Sequence, residues 1–163
     1  MTAVRVQAAD LTPESTGLRY GFPVTANAEA FKEVDAFANW RLPWRWDLGK
    51  EWYVQTRLDL SLGWVADSHV SSFIGTLGPS FVLGQGKFPV TFLVGSSPTI
   101  LSEEKFPSKD LGCKFQFTSH AGLQVELTPH LRLDYRFQHM SNAGLGDHNP
   151  GLNLHVFGLS YVF

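Results

Sequence analysis

The stretch Glu51–Val65, EWYVQTRLDLSLGWV, decides the fold of this chain. Apolar side chains and one hydroxyl occupy every second position, and mostly polar side chains occupy the positions between them. The first set is Trp52, Val54, Thr56, Leu58, Leu60, Leu62 and Trp64, and the second is Glu51, Tyr53, Gln55, Arg57, Asp59, Ser61 and Gly63. A period of two over such a length is incompatible with a helix and typical of a β-strand. The segment is also longer than the usual strand of a soluble protein, which has about 5–6 residues.

The same alternation recurs along the chain, so that eight strands are predicted in all. Near the end of the chain, His155, Phe157, Leu159, Tyr161 and Phe163 share one face of a strand. Besides Glu51–Val65, the predicted strands are Leu18–Val24, Val34–Trp44, Ser72–Leu83, Phe88–Ser96, Cys113–Val125, Leu131–Gln138 and Asn153–Phe163.

The predicted connections alternate in length. Short ones follow the second, fourth and sixth strands, at Arg45–Gly49, Gly84–Lys87 and Thr128–His130. The connections after the odd-numbered strands are generally longer, as at Leu101–Asp110 and Ala143–Gly151. An even number of antiparallel strands, with short turns at one end and longer loops at the other, is typical of outer-membrane barrels. The sequence therefore predicts an all-β protein, an eight-stranded antiparallel up-and-down transmembrane β-barrel.

Composition sets the broad limits of the fold and function. The chain has 163 residues, enough for one domain, and 17% of them are charged, against about 25% in typical soluble domains. The formal net charge of −2 argues against a nucleic-acid-binding protein, which needs a basic face. The single cysteine, Cys113, excludes an intramolecular disulfide and a cysteine-based zinc site. We expect residues 1–15 to be an N-terminal tail, either periplasmic or extending the first strand, and residues 16–163 to form the barrel.

Three features favour a membrane barrel over the alternative, a soluble barrel with its apolar face inward. Trp52 and Trp64 bound the apolar face of their strand, and their spacing spans roughly 28 Å at a tilt of about 45°, close to the thickness of the bilayer core. The strand interiors carry few charges, of both signs, as suits a packed polar lumen. The segment Leu159–Phe163 resembles the sorting signal of bacterial outer-membrane proteins. We therefore predict a location in the bacterial outer membrane.

Parity assigns the side chains of the strand near residue 135 to two faces. The set predicted to face the lumen is Arg132, Asp134, Arg136 and Gln138. The set predicted to face lipid is Leu133, Tyr135, Phe137, His139 and Ser141. We expect the lumen-facing set to form a paired network with His120 and Gln116.

The residue types that carry chemistry concentrate at the last hairpin. His139 and Ser141 share the lipid-facing side of one strand, and Asn153 and His155 share it on the next. A polar side chain that faces lipid is costly unless it is partnered or functional. A histidine ring can reach a serine hydroxyl two residues away, and a residue on the neighbouring strand can orient the imidazole. The pattern indicates either a catalytic site or a set of polar residues at the headgroup boundary.

Two segments support a resemblance to a known family. His139–Leu145, HMSNAGL, is followed by Asn149–Gly151, NPG, and preceded by Phe115–His120, FQFTSH. Together they resemble the C-terminal signature of the PagL-type lipid A 3-O-deacylases. The resemblance is specific over Leu111–Phe163 and architectural before it. It implies an eight-stranded outer-membrane barrel that hydrolyses the ester-linked 3-position acyl chain of lipid A, a carboxylic ester hydrolase that uses no metal and no cofactor.

The resemblance also implies residue roles. Ser141 is the expected nucleophile and His139 the expected general base, while Asn142 and Gly144 occupy the positions of the oxyanion-hole contributors. The family orients its histidine with a glutamate fourteen residues later, a position that is Asn153 in this chain. An amide oxygen can accept the imidazole N–H, but it does not stabilise the imidazolium as a carboxylate does. The remaining alternatives for this third role are Asp147, His155 on the same face, or a Ser-His dyad with no third residue.

The expected partners follow from this function. They are lipid A or lipopolysaccharide in the outer leaflet and the membrane itself, with no nucleic acid. The sequence leaves open whether the chain is a monomer or a homodimer. Two other function classes also remain open: a non-catalytic structural or adhesion barrel of the outer membrane, and a lipid A acyltransferase.

Overall fold

The protein is described here from a computed structural model that covers residues 3–6, 12–24 and 31–163. The predicted tail, residues 1–15, therefore lies partly outside the described residues. No helix in the described ranges is long and apolar enough to cross a membrane. The strands within these ranges are β1 (Ala3–Val6), β2 (Ser15–Pro23), β3 (Lys32–Gly49), β4 (Trp52–Ala66), β5 (Ser71–Gln85), β6 (Val90–Leu101), β7 (Phe115–Thr128), β8 (Leu131–Ser141) and β9 (Leu152–Val162).

Strands β2 to β9 form a closed antiparallel barrel. Each strand pairs with the next along the chain, and β9 pairs with β2, for example at Ser15↔Val162, which closes the cylinder. The short β1 also pairs with β3, at Ala3↔Asp47, beyond the region that β2 occupies. The eight-stranded up-and-down barrel predicted from the alternation is confirmed.

The second predicted strand is longer than expected, and the turn predicted at Arg45–Gly49 is wrong. β3 continues to Gly49, with an irregularity in its register to β4 between Arg41 and Arg45. Pro43 lies in this interval, and a proline lacks the N–H that a regular ladder requires. A bulge accommodates this break, so the strand resumes beyond it. The actual turn is the pair Lys50 and Glu51, with φ of 49° and 67°, which suits a two-residue hairpin.

The longer connections lie at the opposite end of the barrel from this turn. Residues 102–114 join β6 to β7, and residues 142–151 join β8 to β9. The connection between β4 and β5, residues 67–70, is short and departs from the predicted alternation. The two longer loops stand beside each other because β7 and β8 are neighbours in the barrel.

The apolar face of the barrel points outward. On β4, Leu62 is 48% exposed, whereas Arg57 is only 1% exposed and lies inside. The same division holds on β8, where Leu133 and Phe137 are exposed and Asp134 is buried. This is the arrangement of a barrel surrounded by lipid, and it is the reverse of the soluble alternative.

Charged side chains fill the lumen at mid-height. The predicted lumen-facing set, Arg132, Asp134, Arg136 and Gln138, is buried as expected. Asp134 lies between two cations: its carboxylate is 3.7 Å from Arg19 and 3.6 Å from Arg136. Arg19 also lies 3.7 Å from Asp35 of β3. Arg19 of β2 thus pairs with carboxylates both of β3, its neighbour in the sequence, and of β8, which is far from it in the sequence.

The partners predicted for two lumen residues are wrong. His120 is directly opposite Gln138 of the β8 set, but its ion-pair partner, at 3.9 Å, is Asp59 of β4. Gln116 donates to backbone carbonyls, not to a charged side chain. Gln138 donates to Glu33, at 2.9 Å to each carboxylate oxygen. Closure of the barrel brings β3 and β4 across from β7 and β8, and strand parity alone carries no information about that approach.

An apolar cluster closes the lumen at the end that carries the longer loops. Its members are Phe31, Val65, Ile74, Leu101, Phe106, Leu111, Met140, Leu152, Leu154 and Val156. Met140 and Leu152 face each other across β8 and β9. The two strands are therefore anchored from inside at the level where their outward side chains form the site described next.

Candidate active site

The register between β8 and β9 brings two predicted site residues together. His139 and Asn153 are directly opposite each other. The ring Nδ1 of His139 lies 2.7 Å from Oδ1 of Asn153. Ser141 is the last residue of β8, two positions beyond His139 and on the same outward side of the strand. Met140 between them points into the lumen.

The hydrogen bond between His139 and Asn153 fixes the tautomer of the ring. The Oδ1 atom of an amide only accepts hydrogen bonds, so Nδ1 of His139 must carry the proton and donate it. In the neutral imidazole the other nitrogen, Nε2, then has a free lone pair. This arrangement prepares Nε2 to accept a proton, which is the role expected of a general base. The predicted contact between Asn153 and His139 is confirmed.

His155 is occupied by a different contact. Its Nδ1 lies 2.9 Å from the hydroxyl of Tyr135, and its ring packs against Phe22 with centroids 5.6 Å apart. Its position opposite Phe137 places it one pair nearer the middle of the barrel than Asn153. Of these two candidates, Asn153 is therefore the one that forms a hydrogen bond with His139.

A tight turn follows Ser141. The amide of Leu145 donates to the carbonyl of Asn142 at 3.0 Å, and the two residues between them, Ala143 and Gly144, have φ of 53° and 82°. Positive φ at both central positions is the signature of a type I′ turn. The turn ends β8 directly after the nucleophile candidate, so the backbone of this turn stands next to Ser141.

The side chain of Asn142 joins the two long loops. It is fully buried, and its Nδ2 donates to the carbonyl of Leu111 at 3.1 Å and to that of His148 at 2.8 Å. Its Oδ1 accepts the amide of Gly144 at 2.9 Å. A buried amide must satisfy its donors. The bond to Leu111 holds the turn after Ser141 against the loop between β6 and β7, and the other two bonds lie within the loop between β8 and β9.

Two glycines make room for this amide, and the sequence analysis did not single them out. A Cβ on Gly112 would lie 2.7 Å from Nδ2 of Asn142 and would also collide with the carbonyl of His148. A Cβ on Gly146 would lie 2.9 Å from the same Nδ2. Gly112 also has a φ of 85°, which disfavours other residues. The only sequence signal for this role is the presence of glycine in both loops.

The two predicted oxyanion contributors have occupied amides. The N–H of Asn142 donates to Oδ1 of Asn149 at 3.1 Å, and the N–H of Gly144 donates to Oδ1 of Asn142. Both amides belong to the turn that follows Ser141. Their role in stabilising an oxyanion stays a prediction, since it requires a substrate oxygen to replace one of these side-chain acceptors.

The backbone near Gly151 closes one side of the histidine. A Cβ on Gly151 would lie 3.0 Å from Cε1 of His139. The carbonyl of Gly151 accepts a hydrogen bond of 2.8 Å from Nζ of Lys109. This contact ties the start of β9 to the loop between β6 and β7, so the ring of His139 packs against a backbone segment that is itself held in place.

Polar residues continue from His139 across the outer face of the barrel. Ser119 on β7 is directly opposite His139, and Ser96 on β6 is directly opposite Ser119. The two serine hydroxyls are 3.0 Å apart. An outward groove of about 590 Å³ runs below them, lined in part by Ala121 and Phe137.

Among the described residues, no group of three or more His, Cys, Asp or Glu side chains is placed to hold a metal ion.

Fold and site together define a class of protein: an outer-membrane-type β-barrel with a serine and an oriented histidine on its lipid-facing side. A sequence profile described as Lipid A 3-O-deacylase (PagL) matches residues 34–162. The chain belongs to this family, as the resemblance of its C-terminal motifs indicated.

A curated relative and several solved structures agree with this assignment. The relative is the lipid A deacylase PagL of Bordetella bronchiseptica, 41% identical over 69 residues, which is 42% of this chain and 39% of the relative. The matched segment thus spans well under half of the relative's length. A crystal structure of the outer membrane enzyme PagL superposes with a TM-score of 0.79 at 14% identity, covering 91% of this chain and 99% of that one.

Two further barrels share the fold more distantly. A designed transmembrane β-barrel has a TM-score of 0.60 at 13% identity, over 94% of this chain and 99% of its own. Neisserial surface protein A has a TM-score of 0.56 at 11% identity, over 96% and 99%. At such identities the likeness shows the fold alone. The predicted location in the bacterial outer membrane agrees with the family and with the outward apolar face.

Proposed function

We propose that this chain hydrolyses the ester-linked acyl chain at the 3-position of lipid A in the outer leaflet. The observation that carries the proposal is the hydrogen bond of 2.7 Å between His139 and Asn153 on the outer face, beside Ser141. A site on this face is reached laterally from the membrane, and the acyl chains of a lipid lie there. Membership of the Lipid A 3-O-deacylase (PagL) family supports the choice of substrate.

The first half of the reaction forms an acyl-enzyme. Oγ of Ser141 attacks the ester carbonyl carbon while Nε2 of His139 takes the hydroxyl proton. The tetrahedral intermediate collapses, and the protonated His139 returns this proton to the departing sugar oxygen. The products of this half are an under-acylated lipid A with a free hydroxyl and an ester between Ser141 and the acyl chain.

The second half releases the fatty acid. Nε2 of His139 removes a proton from a water molecule, whose oxygen attacks the carbonyl carbon of the ester on Ser141. Collapse of the second tetrahedral intermediate returns the proton to Oγ of Ser141 and frees the acid. A site at the rim of the barrel, next to the loops, lies where both an acyl chain and water have access.

The turn after Ser141 is the proposed source of oxyanion stabilisation. Backbone N–H groups aimed at the developing negative charge are typically worth about 10²–10³ in rate. We propose that the carbonyl oxygen of the substrate displaces Oδ1 of Asn149 from the Asn142 amide, or Oδ1 of Asn142 from the Gly144 amide. Each of these bonds is a contact between a neutral acceptor and a backbone N–H, so a charged oxygen is the stronger competitor.

The third residue is neutral in this chain. Oδ1 of Asn153 holds the ring of His139 in the correct tautomer, and it does so without the negative charge that would stabilise the imidazolium. We therefore propose a Ser-His-Asn arrangement in which Asn153 acts mainly through orientation. This is a difference from the glutamate expected in the family at the same position.

The test is mass spectrometry of lipid A incubated with the purified protein in a detergent that keeps the barrel folded. We expect the loss of one ester-linked acyl chain and the appearance of the free fatty acid with the native chain, and no change with Ser141→Ala. Ser61→Ala is a matched control, because it removes a hydroxyl that faces the lumen. An unchanged lipid A mass at high protein concentration would overturn the proposal. A gain in mass when phospholipid is supplied would indicate an acyltransferase instead.

A further inference from the structure

A polar cavity lies inside the barrel at the end that carries the short turns. Its volume is about 200 Å³, which is room for several water molecules or one small oxyanion, since a water molecule occupies about 30 Å³ of the liquid. The charged residues that line it in the described part of the chain are Glu14, Arg41, Arg45, Arg57, Glu126 and Arg132. The reaction proposed above takes place at the opposite end of the barrel and uses none of them.

Strand pairing places two of these cations side by side. Arg41 and Arg57 are directly opposite each other on β3 and β4, and like charges in that relation destabilise a sheet. Arg132 of β8 lines the same cavity. Arg45 differs from these three, because its Nε lies 3.1 Å from the carboxylate of Asp47. The other three arginines therefore need negative charge within the cavity.

Two glutamates supply part of this negative charge. Oε1 of Glu14 accepts a hydrogen bond of 2.8 Å from Nη2 of Arg41 and lies 3.5 Å from Nη2 of Arg132. The carboxylate of Glu126 lies 3.4 Å from the same nitrogen, but its side chain is 56% exposed. Among the described lining residues, three arginines thus share two carboxylates, one of which is exposed to solvent.

The guanidinium group of Arg57 has unused donors. Arg57 is 1% exposed, and its Nη1 donates to Oε1 of Gln124 at 3.0 Å. Its Nε and Nη2, like Nη1 of the buried Arg132, have no hydrogen-bond partner among the described residues. The nearest carboxylate oxygen to this Nε in an ion pair, Oδ1 of Asp59, is 3.8 Å away, too far for a hydrogen bond. Buried charged donors without an acceptor are costly, so an acceptor in the cavity would stabilise the barrel.

Glu14 has an unused acceptor at the same cavity. Its Oε2 is buried and has no hydrogen-bond partner among the described residues. A carboxylate oxygen only accepts hydrogen bonds, so a ligand that contacts it must carry a donor. Sulfate is fully deprotonated at neutral pH and would bring negative charge against this oxygen without a proton to share. Inorganic phosphate keeps at least one O–H at neutral pH, and its other oxygens accept from guanidinium groups.

We propose that this cavity is a binding site for the hydrogen phosphate ion. Its oxygens accept from Nε and Nη2 of Arg57 and from Nη1 of Arg132, while its O–H donates to Oε2 of Glu14. The short turns of an outer-membrane barrel are on the periplasmic side, so the ion enters from the periplasm. The inference does not depend on the proposed hydrolysis, which takes place at the other end of the barrel.

The experiment is isothermal titration calorimetry of the full chain, folded in detergent in a phosphate-free buffer of constant ionic strength. The probes are inorganic phosphate, sulfate and glycerol 3-phosphate. We expect one phosphate per chain and at least about tenfold weaker binding of sulfate, because sulfate cannot form the charge-assisted bond to Glu14. Glycerol 3-phosphate should also bind more weakly, since a phosphate monoester has largely lost its last proton at neutral pH.

Three variants test the assigned contacts. Arg57→Gln and Arg132→Gln should each weaken phosphate binding at least about tenfold, since each removes a charged donor. Glu14→Gln should bring the affinity for sulfate close to that for phosphate, because it removes the repelling charge and supplies an amide donor. Incomplete folding does not produce such a gain. The matched controls are Lys87→Gln and Glu51→Gln, exposed residues of the short turns at the same end, and they should change neither affinity.

Three results would overturn the inference. The first is no binding of phosphate to the native chain at millimolar concentration. The second is equal affinity of the native chain for phosphate and for sulfate or glycerol 3-phosphate. The third is an unchanged affinity for phosphate in folded Arg57→Gln and Arg132→Gln, because the ion then binds elsewhere.

Discussion

Nδ1 of His139 and Oδ1 of Asn153 are 2.7 Å apart on the outer surface of the barrel, and the two residues are directly opposite each other on β8 and β9. A neutral amide thus occupies the position from which a carboxylate orients the histidine in many hydrolases. The contact places the proton on Nδ1 and leaves Nε2 of His139, the nitrogen to which the proposed mechanism assigns the proton of Ser141, with a free lone pair.

Replacing Asn153 tests how much the orientation of the His139 ring contributes to kcat. Asn153→Ala should lower kcat by at least about tenfold with the fold intact, because the ring of His139 loses its fixed tautomer; the full worth of general-base assistance, about 10²–10⁴, is the upper limit. Asn153→Glu should keep or raise kcat, since a carboxylate stabilises the imidazolium. Rates of acyl release from lipid A measure both. If neither variant differs from the native chain while Ser141→Ala is inactive, the site is a Ser-His dyad.

Replacing His155 should have a smaller effect on the rate. His155 is bonded to Tyr135 and packs against Phe22, so His155→Ala leaves the contact between His139 and Asn153 in place. We expect a smaller loss of kcat than in Asn153→Ala, measured with the same lipid A assay. A larger loss in His155→Ala would mean that His155 supports His139 in the complex with substrate.

A methyl group at Gly112 should disturb the turn after Ser141 by displacing the side chain of Asn142. In Gly112→Ala the new Cβ meets Asn142 and the carbonyl of His148 at a φ of 85°, so strain and overpacking together should cost roughly 2–5 kcal/mol locally and lower activity. Gly49→Ala is the matched control, because Gly49 has the same φ of 85° and no atom within 4 Å of a Cβ. It should cost only about 1–2 kcal/mol and leave the turnover unchanged. Equal activity in the two variants would show that Asn142 tolerates displacement.

The free energy of unfolding should depend strongly on Asp134, whose carboxylate lies in the lumen. Its carboxylate lies 3.7 Å from Arg19 and 3.6 Å from Arg136, so Asp134→Ala leaves two buried cations without this partner. Breaking a buried pair in this way typically costs about 3–5 kcal/mol. Glu126→Ala removes an exposed partner of Arg132 and should cost under about 1 kcal/mol. Urea unfolding in lipid vesicles measures the free energy of unfolding of both variants. A similar loss in Asp134→Ala and Glu126→Ala would contradict the prediction that the buried ion pairs stabilise the barrel more than the exposed one.

The sequence by itself determined the barrel and the face on which the site lies. Side chains alternate across a strand with a period of two, so the pattern of Glu51–Val65 fixes one apolar face, and the parity of β8 places His139 and Ser141 on it. The spacing between His139 and Asn153 fits a single hairpin, and their contact is local enough to follow from that hairpin. The motif around Ser141 also indicates the family without reference to any tertiary contact.

The tertiary structure decided the contacts that depend on closure and on exact register. Pro43 interrupts β3 without ending it, because β4 continues to pair beyond the irregularity. His120 contacts Asp59 because closure brings two strands together across the lumen.

The same holds for the loops and for the outer face. Asn142 is held by carbonyls of two loops, and the alignment of Ser96 with Ser119 and His139 follows from pairing between three strands. A periodic pattern specifies which side of a strand a residue occupies. Which residues meet across the lumen or between neighbouring strands is set by the stagger of the closed sheet and the path of the loops, and no local segment of the sequence encodes these.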